Sequence, residues 1–221
     1  MSHGDAAHQI LVSARTSGAT GDEQGISLFL VPTGAPGLSI RGYVGVDGAR
    51  SAEAVLDQVA VGPEGLLGDV GGAFELIEKA TGAGVIALCA EGLGALDVVK
   101  DMTAEYLRTR KQFGQPIGSF QALQHRIVDM FISYEQAKSM ACLACSKVDS
   151  SEDRAARARA VSAAKIKVSD AARHVSQEAV QLHGGMGMSD ELKVSHAFRR
   201  LTVLARQFGD ADHHLERFAS L

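Results

Sequence analysis

Apolar residues change their period along this chain, and the change divides it. Up to about residue 61 they alternate in short runs. The runs 9–14, 26–31, 38–40 and 52–61 read as strands. Small and polar sequence separates them: 18–25 around Gly21-Asp22, then Pro36-Gly37, then Asp47-Gly48. Short alternating runs divided by such turns predict antiparallel pairing. Four strands are too few to close a barrel, and a small sheet alone is marginal. From Asp69 the period becomes helical. Val85, Leu88, Gly92, Ala95, Val99, Met102 and Tyr106 follow three- and four-residue steps up to Arg110. Residues 112–119 interrupt, with two glycines and Pro116. Phe120, Leu123, Ile127, Met130, Tyr134, Ala137, Ala141, Ala144 and Val148 then resume the spacing. Both stretches exceed the ~10–14 residues of an ordinary helix.

The polar stretch 149–152 ends the second helix. Val161, Ala164, Val168, Ala171, Val175, Ala179 and Leu182 mark a third, stopped at Gly184-Gly185. Ser189 suits an N-cap, with Asp190 and Glu191 in a first turn. Residues 192–207 and 211–221 predict two shorter helices. Long helices joined by short loops make an antiparallel bundle. The expected fold is α+β and mainly α: a partial antiparallel β-domain over 1–68, then a four-helix bundle over 69–221.

Composition narrows the class. The 221 residues are 46% hydrophobic and 22% charged, which suits a globular chain. The formal charge of −4 implies no general nucleic-acid affinity. No apolar run approaches the roughly 20 residues of a membrane span. Three cysteines argue against a disulfide framework and for a reducing, cytoplasmic setting. The first residues lack the basic and apolar segments of a signal peptide. Cys142 and Cys145 form a Cys-x-x-Cys pair, but in mid-helix without a second pair, so no metal site is expected. His213 and His214 are expected on the surface. Arg154, Arg157 and Arg159 open the third helix, with Glu152 and Asp153 to offset them.

Three strings carry a resemblance. Residues 110–121 read RKQFGQPIGSFQ, residues 181–188 read QLHGGMGM, and residues 26–39 read ISLFLVPTGAPGLS. The first two, in this order, resemble the acyl-CoA dehydrogenase family, and the third, earlier in the chain, resembles that family's middle β-domain, so the resemblance covers nearly all the chain from about Gln9. The resemblance implies a helical N-terminal domain, a middle β-domain and a C-terminal four-helix bundle. On that pattern the chain begins inside the β-domain, and the small sheet is a remnant.

The resemblance also implies a chemistry. A carboxylate removes the α-proton of an acyl-CoA thioester, and the β-hydrogen leaves as hydride to flavin adenine dinucleotide (FAD). The flavin supplies the redox chemistry, the protein the geometry and electrostatics. Electrons would pass to an electron-transfer flavoprotein or another acceptor. A homo- or heterotetramer, with FAD shared between subunits, and a place in lipid metabolism are implied with it.

Carried onto this sequence, Arg110 matches the arginine that reaches the FAD pyrophosphate of a neighbouring subunit; a guanidinium fork suits phosphate. Gln112 and Phe113 flank it, with Phe113 toward the adenine side, and Gln121 approaches the same cofactor. Gln181, Gly184 and Gly185 match the second FAD segment, where glycines let backbone amides approach phosphate closely. The same glycines also suit a helix C-cap. His183 reads as a packing or hydrogen-bonding residue.

The catalytic base departs from the pattern. Residues 207–210 read QFGD, so Phe208 stands where many relatives carry glutamate, and Asp210 where they carry threonine beside the flavin. The alternative glutamate position, early on the first bundle helix, falls at about Gly84. Glu91, two turns along the same face, and Asp210 are the substitute candidates. Glu91 otherwise reads as a buried or subunit-bridging carboxylate, and Asp210 as an FAD contact or an N-cap. An unfilled base beside intact cofactor motifs also suits a catalytically incomplete subunit of a heteromeric enzyme.

Overall fold

The structure is a computed structural model and describes residues 1–148 and 153–221. The expected polar break at 149–152, Glu152 included, lies outside the described residues. The chain divides into two units, Met1–Ala80 and Thr81–Leu221.

The first unit is antiparallel. Strands β1 (Gln9–Arg15) and β2 (Ile26–Pro32) pair in register from Gln9↔Pro32 to Arg15↔Ile26, and the short β5 (Leu66–Leu67) adds to β2. Strands β3 (Leu38–Val44) and β4 (Arg50–Leu56) form a separate pair. β3 is longer than the three residues its apolar run suggested, because pairing with β4 extends it through Arg41, which meets Glu53 at 2.8 Å. β4 ends at Leu56, short of the expected 61. Beyond it Asp57 N still donates to Gly37 O at 2.9 Å, one pair past Leu38↔Leu56, before residues 57–58 bend. Gly37 has φ +84, and a Cβ there would collide with the carbonyl of Asp57. This is why the turn needs glycine.

The second unit is a bundle. α1 (Phe74–Thr109) leads to the hairpin β6 (Lys111–Gln112) and β7 (Gln115–Pro116), then to α2 (Gln121–Val148) and α3 (Arg154–His183). α4 (Lys193–Leu204) and α5 (Ala211–Ser220) follow. The core joins Val85, Leu96 and Val99 of α1, Met130 and Ala137 of α2, Val168 and Val175 of α3, and Leu201 and Leu204 of α4. Small residues set the spacing. A Cβ on Gly92 would stand 3.1 Å from Val168 Cγ1 and 3.3 Å from Leu204 Cδ2. α3 begins with Asp153, whose carboxylate accepts from Ala155 N at 3.0 Å, an N-cap that also faces the arginine-rich first turn.

Two expectations are corrected. α4 stops at Leu204 instead of running to 207: Arg206 N donates only three residues back, to Val203 O at 3.0 Å, and Gln207 N divides between Val203 O and Leu204 O at 3.2 Å. His214 is buried, at 1% exposure, not on the surface. Adjacent helical residues point about 100° apart; α5 packs on α3, so one histidine of the pair must face inward. The membrane reading also changes: α1 is long and apolar enough to cross a bilayer by length and composition alone, a test that core helices also pass. Its alanines count as apolar there without forming a bulky run, and it carries Glu91, paired to α4.

Candidate functional site

The two motif segments lie at one end of the bundle. α1 ends one turn after Tyr106, and Arg110 N still donates to Tyr106 O at 2.9 Å. The Tyr106 ring stacks on the His183 ring with centroids 4.4 Å apart, and Tyr106 Oη donates to His183 O at 3.4 Å. His183 is buried, and its Nδ1 donates to Ala179 O at 2.8 Å. Arg126 near the start of α2 meets Glu178 near the end of α3 at 2.5 Å. The arginine turn and the double glycine are therefore fixed to each other through side chains of three helices.

The local geometry explains the motif residues. Residues 111–116 form a hairpin whose two central residues, Phe113 (φ 54) and Gly114 (φ 80), both have positive φ. That is the two-residue turn that follows strand twist, and the left-handed region is costly for a phenylalanine. Phe113 is also 89% exposed, against Phe120 only edge-on at 6.0 Å between centroids. A strained, exposed aromatic at a hairpin tip has no role in this chain's own core. Arg110, Gln112 and Gln121 are exposed around it, and Gln112 Nε2 donates to Lys111 O at 2.8 Å. Ile117 N donates to Arg110 O at 2.8 Å and closes the turn.

At the other segment, Gly184 caps α3 with φ 60, its N–H donating to Gln181 O. Gln181, Gly184 and Gly185 are exposed, and a Cβ on either glycine would meet open space. Gly187 differs: a Cβ there would strike the backbone of Val180. The first pair leaves backbone free on the surface, while Gly187 serves close packing.

The candidate base residues lie elsewhere. Phe208 has φ 56, is half exposed, and its Cζ stands 3.0 Å from where a Cβ on Gly84 would be. The two positions at which the resemblance implies a glutamate are thus neighbours, and a phenyl ring fills the space between them. Glu91 is held in a two-point ion pair by Arg200 of α4, at 2.5 and 2.9 Å. Asp210 N-caps α5, accepting from His213 N at 3.0 Å, and this bond holds its carboxyl below the usual range. Both carboxylates have structural tasks in this geometry. Cys142 and Cys145 are exposed on α2, whereas burial pushes the Cys89 thiol up to about 11. No cluster of three metal-ligating side chains occurs among the described residues.

Residues 72–220 match the family model described as "Acyl-CoA dehydrogenase, C-terminal domain". The chain belongs to the acyl-CoA dehydrogenase family. The probable acyl-CoA dehydrogenase YngJ of Bacillus subtilis is 31% identical over 214 residues, 96% of this chain and 55% of that protein. The structure of butyryl-CoA dehydrogenase from Megasphaera elsdenii superposes with a TM-score of 0.87 at 27% identity, over 99% of this chain and 57% of that one. The FAD complex of PigA gives 0.90 at 26% identity, again over 99% and 57%. The chain thus spans about half the length of the relatives it matches. The acyl-CoA dehydrogenase fold expected from the motifs is the fold observed.

Three residues beside these sites carry no motif. Tyr106 lay unremarked within the apolar stripe of α1. Lys165 stands on the stripe between Val161 and Val168, and a charge on a buried stripe was the available signal. Arg200, the partner of Glu91, gave none.

Proposed function

We propose that this chain is the cofactor-binding and assembly half of an FAD-dependent oxidoreductase that desaturates an acyl-CoA thioester at its α,β bond. One observation carries the reading: the Tyr106–His183 stack joins the Arg110 hairpin to the Gly184-Gly185 turn, so both phosphate-suited segments occupy one end of the bundle. Open backbone at two glycines, a free-standing guanidinium and an exposed aromatic fit a dinucleotide's pyrophosphate and adenine. The residues present fit FAD. Arg110, Gln181, Gly184 and Gly185 would hold its phosphates, and Gln112, Phe113 and Gln121 its remaining polar and aromatic groups. When bound, the flavin supplies the hydride-accepting ring. This chain's own residues bind and orient it.

Exposed apolar side chains on α2 (Val128, Phe131, Ile132, Leu143) and α5 (Leu215, Phe218) support a tetramer built on the bundle. An electron-transfer flavoprotein or similar acceptor would take the electrons. The setting is read as cytoplasmic lipid metabolism.

A second reading is favoured by Phe208. Its ring covers Gly84, so neither base position holds a proton acceptor. On this reading the chain is a catalytically incomplete subunit, and a partner subunit supplies the base. The test is acyl-CoA turnover by the natural protein purified alone, with an artificial electron acceptor. Turnover by the isolated protein overturns the incomplete-subunit reading, and its loss in Asp210→Asn or Glu91→Gln then names the base. Flavin retention without turnover, gained on adding a partner, supports it. Failure to bind flavin at all overturns the oxidoreductase reading.

A further inference from the structure

Between α4 and α5 the backbone makes an irregular passage, Ala205 to Asp210, that brings Phe208 over Gly84. The groups holding it come from inside the bundle. Lys165 of α3 is fully buried, at 0% exposure. Its three ammonium protons have three acceptors: Leu204 O at 2.9 Å, Ala205 O at 2.9 Å and Ser169 Oγ at 3.3 Å. The charge therefore sits at the C-terminal end of α4, where Leu204 O also accepts from Gln207 N at 3.2 Å and Ala205 O from Ser169 Oγ at 3.4 Å. Burying an ammonium is costly, and an apolar side chain would fill the same space more cheaply.

The second group is His214, buried on α5. Its Nε2 lies 3.0 Å from Phe208 O and its Nδ1 3.2 Å from Ser162 Oγ. A carbonyl only accepts, so Nε2 carries the hydrogen, and the neutral ring accepts the Ser162 hydroxyl at Nδ1. That bond falls on the carbonyl of a residue in the left-handed region, a conformation that persists only where surroundings impose it. Asp210 fixes the far end of the passage through its cap on His213 N.

We infer that Lys165 and His214 are positioning residues: from the bundle interior they set the backbone of residues 204–208, and so the place of side chain 208 over Gly84. Both are buried, and both act through main-chain carbonyls. The significance of side chain 208 rests on the functional reading above, whereas the clamp itself is a statement about conformation.

The test uses the complete natural protein labelled with 4-fluorophenylalanine, with the Phe208 fluorine signal assigned through Phe208→Leu. In Lys165→Met, the Phe208 signal shifts toward its unfolded value and broadens, and amide exchange across 205–209 quickens by about tenfold or more. The signals of Phe113 and Phe120 stay in place. His214→Leu does the same, and His214→Gln, which keeps a donor for Phe208 O, restores most of the wild-type signal. An unmoved Phe208 signal in a folded Lys165→Met protein overturns the inference. So does a uniform shift of all the phenylalanines, which would mark general loosening. If Lys165→Met does not fold, the His214→Leu and His214→Gln pair decides alone: equal spectra overturn the clamp. The readout needs neither flavin nor substrate, so the functional reading can fail while the clamp stands, and the reverse.

Discussion

Tyr106 stacks on His183 with ring centroids 4.4 Å apart, and its hydroxyl reaches the His183 carbonyl. One contact thus ties the last turn of α1 to the last residue of α3, each immediately before a cofactor-suited turn. Tyr106→Phe keeps the stack and should cost at most about 1 kcal/mol, the worth of one hydrogen bond. Tyr106→Ala loses the ring and should cost about 2–4 kcal/mol, while also weakening FAD binding. Chemical denaturation and flavin titration of the two variants separate these effects.

The glycines of residues 184–187 have different tasks. Gly187→Ala forces a Cβ against the Val180 backbone and should lower the melting temperature clearly. Gly185→Ala meets open space and should leave stability within about 0.5 kcal/mol, yet weaken FAD binding by covering exposed backbone. Thermal melts with and without FAD show the difference. Equal melting temperatures with equal affinities would remove the distinction.

Burial pushes the His214 imidazole down from 6.5 to about 4, so the folded protein keeps it neutral. The unfolded chain binds this proton as pH falls below about 6.5, and the folded chain only near 4. This contribution to stability is therefore complete above pH 6.5 and is lost progressively as pH falls toward 4. The loss is at most about 3 kcal/mol. Denaturation midpoints measured across that range should fall for the wild type, and His214→Gln should lack this limb.

Much of the bundle was legible because its helices are long and their apolar spacing regular, from Val85 to Tyr106 and from Val161 to Leu182. The ends were less so. α4 stops at Leu204, where the donors of 206 and 207 shift toward three-residue bonds and a lysine thirty-nine residues earlier reaches its last carbonyl, a long-range bond that no local pattern encodes. His214 was placed outside because its neighbour His213 looks the same in sequence; only packing on α3 separates them. At the site, the strings around Arg110 and Gly184 were readable as motifs, but their meeting through Tyr106 and His183 was not. Phe208 and Gly84 were each seen to lack a carboxylate. Their adjacency, with one ring filling the space, emerged only from the fold.

The central claim is that the Arg110 hairpin and the Gly184-Gly185 turn together hold FAD. The direct measurement is a titration of the natural protein, freed of bound flavin, with FAD, followed by flavin fluorescence, beside Arg110→Ala and Gly185→Ala. Saturable binding, weakened in both variants while their melting temperatures without flavin stay at the wild-type value, is the predicted result. No binding by the wild type, or binding that neither variant weakens, would contradict the claim.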